Sequence, residues 1–79
     1  MFLTLSIEAE HGQADVRIDS EQVIGEGLRV LRESGKLPGG AVPDYFRSHM
    51  NQRLVSAWRT FEDEQIYDGD ILSAIESNR

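Results

Sequence analysis

The amino-acid sequence predicts an α+β fold in which one main helix covers one face of a mixed β-sheet. Three patterns point there. Apolar and polar residues alternate over Phe2–Ala9 and again over 14–18, a helical stripe of Ile24, Leu28 and Leu31 follows, and alternation returns over residues 71–76.

In the first segment Leu3, Leu5, Ile7 and Ala9 fall on one side and Phe2, Thr4, Ser6 and Glu8 on the other, as a half-buried strand requires. Glu10, His11, Gly12 and Gln13 supply turn chemistry. Ala14, Val16 and Ile18 then alternate with Asp15, Arg17 and Asp19, so the two strands form an antiparallel hairpin. Asp19 or Ser20 can cap a helix, with Gln22 three residues after Asp19 as in a capping box. Ile24, Leu28 and Leu31 recur at i, i+4 and i+7, while Glu26, Arg29, Arg32 and Glu33 take the wet side. Gly35 is placed to end the helix in a left-handed conformation, and residues 36–43, with two prolines and Gly39-Gly40, form a loop.

Residues 45–55 read as two short strands turning near Asn51-Gln52, lying at the sheet edge. Thr60 and Asp63 form a second capping signature, with Phe61 and Ile66 bracketing a single helical turn. Asp68-Gly69 is a turn. In the last strand Leu72 and Ala74 face one way and Ile71, Ser73 and Ile75 the other. The order is β-β-α-β-β-(short helical turn)-β, with the first and last strands at the sheet centre and residues 1–79 forming one domain.

Composition narrows the function. The chain has 79 residues, 8 Lys+Arg against 14 Asp+Glu for a net charge of −6, and no cysteine. A core of this size leaves little room for a deep enzyme cleft. The acidic balance and scattered basic residues argue against binding nucleic-acid backbones or anionic membranes, which would meet like charge. Without cysteine there are no disulfides, thiolate metal sites or cysteine nucleophiles. The apolar start has no basic leader and runs into Glu8 and Glu10, so neither a signal peptide nor membrane insertion is expected, and the cytoplasm is the expected location.

The chemistry-bearing residues favour plain readings. Gly25-Glu26-Gly27 lacks the third glycine and the Lys-Ser/Thr of phosphate-binding loops, so the glycines are expected to let the helix pack closely on the sheet or, alternatively, to expose backbone as a docking surface. Glu62, Asp63, Glu64, Asp68 and Asp70 lack calcium-loop spacing and read as a solvated acidic face rather than a metal site, with a partner-docking acidic patch as the alternative. His11 and His49 stand far apart with no Ser/Asp arrangement beside either. Trp58 either caps the small core or anchors a partner. No catalytic, metal or cofactor residue is assigned.

Several short motifs carry a resemblance. The segment Thr60-Phe61-Glu62-Asp63-Glu64-Gln65-Ile66 is similar to the Thr-Leu-Ser-Asp-x-x-Ile segment preceding ubiquitin's last strand. Tyr45-Phe46-Arg47 opening the third strand, Asp63 three residues before Ile66, and Gly69-Asp70-x-Leu72 opening the last strand resemble the YukD/EsaB family. These are small ubiquitin-like (β-grasp) proteins encoded with bacterial type VII (WXG100/ESX) secretion systems. Ser48 and His49 depart from the aliphatics that family members tend to carry there.

The resemblance implies a β-grasp fold and a non-catalytic accessory or regulatory role, with a protein of the secretion machinery as partner. The alternative is a ubiquitin-like modifier or sulfur carrier acting with an activating enzyme. Either carrier chemistry needs a terminal Gly-Gly, whereas this chain ends Glu76-Ser77-Asn78-Arg79, so conjugation is not expected. The chain does not look like an exported substrate, because Trp58 is followed by Arg59-Thr60 rather than x-Gly, and Tyr67 has Asp70 at the third place rather than the fourth. Ubiquitin-like proteins commonly bind through the uncovered sheet face, to which the pleat assigns Phe2, Tyr45, His49, Ile71 and Ile75. A homodimer through this face is a further expectation.

Overall fold

The computed structural model describes residues 1–9, 12–35 and 42–75. Its elements run β1 (Phe2–Ala9), β2 (Gly12–Asp19), α1 (Ile24–Glu33), β3 (Tyr45–Ser48), β4 (Arg53–Ser56) and β5 (Ile71–Ile75). The strands form one five-stranded sheet in the order β2-β1-β5-β3-β4. β1 and β5 are parallel, with Ser6 opposite Ile71 and Glu8 opposite Ser73, and every other pairing is antiparallel. β3 is therefore interior, paired with β5 and β4, and only β4 and β2 are edges. The shortness and polarity of β3 had suggested an edge, and a buried hydrogen bond at Ser48 removes that objection.

Alternation sets the core. Leu3, Leu5 and Ile7 from β1, Val16 and Ile18 from β2, Phe46, Val55 and Leu72 line the inner face. Ile24 and Leu28 of α1 close over them, and Phe61 and Ile66 seal one side. Each large side chain buried this way contributes about 1.5–3 kcal/mol against exposure. Leu31 packs partly buried against the same cluster, completing the expected stripe.

The helix begins later than its sequence signature. Asp19 accepts the Glu21 N–H at 3.0 Å through Oδ1 and the Gln22 N–H at 3.1 Å through its carbonyl, making a turn. The Glu21 hydrogen bond, with the N-terminal ammonium 3.5 Å away, holds the Asp19 carboxyl below the usual carboxylate range. Val23 is the N-cap residue and makes no side-chain cap. The unsatisfied N–H groups of the first helical turn go instead to tertiary carbonyls, Ile24 to Arg59 at 2.8 Å and Gly25 to Ala57 at 2.6 Å. Gly25 permits this approach, since a Cβ there would lie 3.0 Å from the Ala57 carbonyl oxygen. Gly27 meets β2, where a Cβ would come within 2.5 Å of Ile18 Cδ1. The helix stops at Gly35, whose φ of +80° suits glycine.

The second capping signature forms as expected, with Asp63 N–H donating to Thr60 Oγ1 at 2.9 Å. This turn lies along the outer edge of β4. Glu64 accepts from the Ser56 N–H at 2.8 Å and from Arg53 at 3.2 Å, and Asn51 Nδ2 donates to the Gln65 carbonyl at 2.9 Å. Expectations for His11, Gly39-Gly40 and the C-terminal residues 76–79 fall outside the described residues.

Candidate protein-docking face

Among the described residues nothing covers the sheet face opposite α1, and the pleat brings to it Thr4, Ser6 and Glu8 of β1, Asp15 and Arg17 of β2, Ile71, Ser73 and Ile75 of β5, and Tyr45 and Arg47 of β3. Register decides which of the expected docking residues meet. Tyr45 stands directly opposite Ile75, and both are exposed. Trp58, in the turn after β4, sets its ring edge-on to Tyr45 with centroids 5.2 Å apart and planes at 73°. Trp58 is 58% exposed, so of its two readings the core cap is overturned. Tyr45, Trp58 and Ile75 form one contiguous apolar strip across the end of the sheet, with Leu54 exposed on the adjoining row.

His49 and Ile71 lie at the other end of β5, where the His49 N–H donates to the Ile71 carbonyl at 3.0 Å. Four residues of strand, about 13 Å at 3.3 Å each, separate Ile71 from Ile75. Phe2 does not join them. Because β5 begins opposite Ser6, Phe2 extends about another 13 Å past Ile71, and its ring sits under the Arg17 guanidinium at 5.1 Å.

Between the two groups lies a polar relay. His49 Nε2 is 2.6 Å from Ser73 Oγ, which donates to Glu8 Oε1 at 2.8 Å. The serine proton goes to Glu8, so His49 Nε2 carries the hydrogen and donates. This differs from a nucleophilic triad, in which histidine accepts from serine and the carboxylate orients histidine. The relay escaped sequence reasoning because its members lie 24 and 65 residues apart, and only the β1–β5–β3 register joins them. It presents an ordered set of hydrogen-bonding groups beside the apolar strip.

The acidic cluster is a solvated face only in part: Glu62, Asp63 and Asp68 are exposed, Glu64 is half-buried and Asp70 is buried. Asp70 is 1% exposed, accepting from Ser48 Oγ at 2.5 Å, the Met50 N–H at 2.9 Å and the Ile71 N–H at 2.7 Å. Asp68 accepts the Thr4 N–H at 2.7 Å, and Glu64 is committed to β4. These carboxylates satisfy backbone donors at turns and strand starts, a use that composition cannot distinguish from solvation. Only Glu62 and Asp63 of the five remain exposed without such a role for their carboxylates. No group of three or more metal-ligating side chains converges among the described residues.

On the helix side a groove of about 530 Å³ runs between α1 and residues 42–44, lined by Val23, Glu26, Arg29, Val42, Asp44 and Trp58 among others. Its charges are mixed, and Trp58 stands at the rim shared with the sheet face. Among the described residues no helix is long and apolar enough to cross a membrane.

No protein-family model matches the chain, and no curated protein does. Solved structures do. A de novo designed protein based on ubiquitin is similar over 99% of this chain and 94% of its own, with 23% identity and a TM-score of 0.64. The ubiquitin-like domain of EccD5 from Mycobacterium xenopi is similar over 99% of both chains, with 21% identity and a TM-score of 0.53. The chain has the ubiquitin-like β-grasp fold, with a mixed five-stranded sheet and one helix.

Proposed function

We propose that this protein is a non-catalytic interaction module of a bacterial type VII secretion system, docking onto a protein of the machinery through its uncovered sheet face. The observation that carries the docking reading is the strip of Tyr45, Trp58 and Ile75: three large apolar side chains, exposed and adjacent, where a β-grasp sheet has no second layer. Burying such aromatic anchors supplies most of the binding energy in a small interface, and the His49–Ser73–Glu8 relay with Arg47 gives polar groups that fix orientation. The secretion setting rests on the YukD/EsaB-like motifs at 45–47, 63–66 and 69–72, and the fold shared with the EccD5 domain agrees with it. The cytoplasm is the proposed location.

Affinity capture with the purified chain, set against the FtsK-type ATPase and other proteins of a WXG100 secretion system, tests this reading. Tyr45→Ala and Ile75→Asp are expected to lower retention at least tenfold with an unchanged circular dichroism spectrum. Equal retention by wild type and both variants would remove the strip as the contact. Formation of an adenylate when the chain is incubated with ATP and an activating enzyme would instead favour the carrier alternative.

A further inference from the structure

The two edges of the sheet are treated differently. Along β4 the 60–66 turn supplies Glu64, whose carboxylate takes the outward Ser56 N–H. Among the described residues β2 has no such cover. It is twice as long, eight residues against four, and its one-to-one register with β1 contains no bulge, proline or lysine to discourage another strand.

Which β2 groups are open follows from the ladder. The Ser6 N–H donates to the Asp70 carbonyl, so Ser6 turns its main chain toward β5 and its β2 partner Asp15 turns away from β1. By the two-residue period, the N–H and C=O groups of Gln13, Asp15 and Arg17 all point to the open edge. The side chains along that edge are self-complementary about one point. In an antiparallel pair of β2 strands centred on Val16, each Asp15 opposes Arg17 of the second copy, and Gln13 opposes Asp19. On the inner face Ala14 opposes Ile18, and Val16 meets itself. Centring one residue either way sets Asp15 against Asp15 or Arg17 against Arg17. Opposite charges directly across a sheet stabilise pairing and like charges oppose it, so the sequence of β2 selects the Val16 register. Both charged side chains are already held on one face, Asp15 by Ser6 Oγ at 2.6 Å and Arg17 by the Phe2 ring, which lowers the ordering cost.

From this we infer that β2 pairs edge to edge with β2 of a second copy, antiparallel about a two-fold axis through Val16, joining two sheets into one. The Asp15–Arg17 pairs then exchange main-chain hydrogen bonds on both sides of the axis. Both helices lie on one face of the joined sheet and both docking strips on the other, so the inference does not depend on the proposed function.

Sedimentation equilibrium of the full chain over a concentration series tests it. The mass is expected to rise from 8.9 kDa toward twice that value. Arg17→Asp and Asp15→Arg are each expected to hold the chain monomeric, and the double swap Asp15→Arg/Arg17→Asp to restore the rise, because it rebuilds both cross-strand pairs in reverse. Hydrogen exchange reads the unsubstituted edge: the Asp15 and Arg17 amides should slow at least tenfold as concentration increases. A mass constant at 8.9 kDa, the result if the edge serves a strand of another protein, would overturn the inference. So would a dimer unaffected by either single substitution, a swap that fails to restore it, or amides whose exchange ignores concentration.

Discussion

Asp70 shows what a small core does with an ionisable side chain. With three donors converging on its two oxygens, the carboxylate is matched without a cation, and it ties the turn after β3 to the start of β5. Hydrogen bonds to charged groups contribute about 1.5–3 kcal/mol, and an orphaned buried donor costs about as much again. Asp70→Ala is therefore expected to lose about 2–4 kcal/mol in urea unfolding, a large share of the stability of a domain this size. Ser48→Ala should cost about 1 kcal/mol alone and much less in the Asp70→Ala background, because the hydroxyl then has no carboxylate to meet. Ser48 had looked out of place in a strand expected to carry aliphatics. Its full burial is explained by Asp70, 22 residues away and invisible to periodicity, with Asn51 donating to the same hydroxyl from its main-chain N–H at 3.2 Å and from Nδ2 at 3.3 Å.

The start of α1 separates what periodicity reveals from what only packing decides. The stripe of Ile24, Leu28 and Leu31, the stop at Gly35 and both hairpins were legible, because each is written in spacing or in a residue whose backbone freedom is required locally. The cap was not. Asp19 carries a good capping side chain, yet the donors of the first turn go to Arg59 and Ala57, carbonyls that reach the helix only after β3 and β4 are placed. Gly25, unfavourable inside a helix, records that contact, and Gly27 records the approach of the helix to Ile18 of β2. The two should respond differently to alanine. At Gly25 the new methyl meets a backbone carbonyl that cannot move, so Gly25→Ala is expected to destabilise by about 1–2 kcal/mol despite the ~1 kcal/mol gain in helix propensity. At Gly27 it meets the end of the Ile18 side chain, which can change rotamer, and the net change should be at least ~1 kcal/mol smaller. Thermal and urea unfolding of the two variants measure the difference. On the uncovered sheet face, alternation identified the exposed side of each strand but not the offset between β1 and β5, which removed Phe2 from the group, nor the turn after β4, which has no period and sets Trp58 against Tyr45.

The whole molecule is arranged around one parallel pair, β1 beside β5, whose partners lie 65 residues apart at the centre of an otherwise antiparallel sheet. That placement has a mechanical consequence. Tension applied between Phe2 and Ile75 draws the two strands in opposite directions along their length, loading the Ser6–Ile71 to Glu8–Ser73 bonds together in shear. Tension between Phe2 and Glu21, just past Asp19 at the same end of the hairpin, would instead open β1 from β2 one bond at a time. The chain has no cysteine, so thiol handles can be placed uniquely at either pair. In optical tweezers the Phe2→Cys/Ile75→Cys chain is expected to rupture at several times the force of Phe2→Cys/Glu21→Cys, at equal pulling speed. Pulled along its strands, a chain of marginal equilibrium stability would behave as a stiff link, able to pass a load to whatever grips it without coming apart.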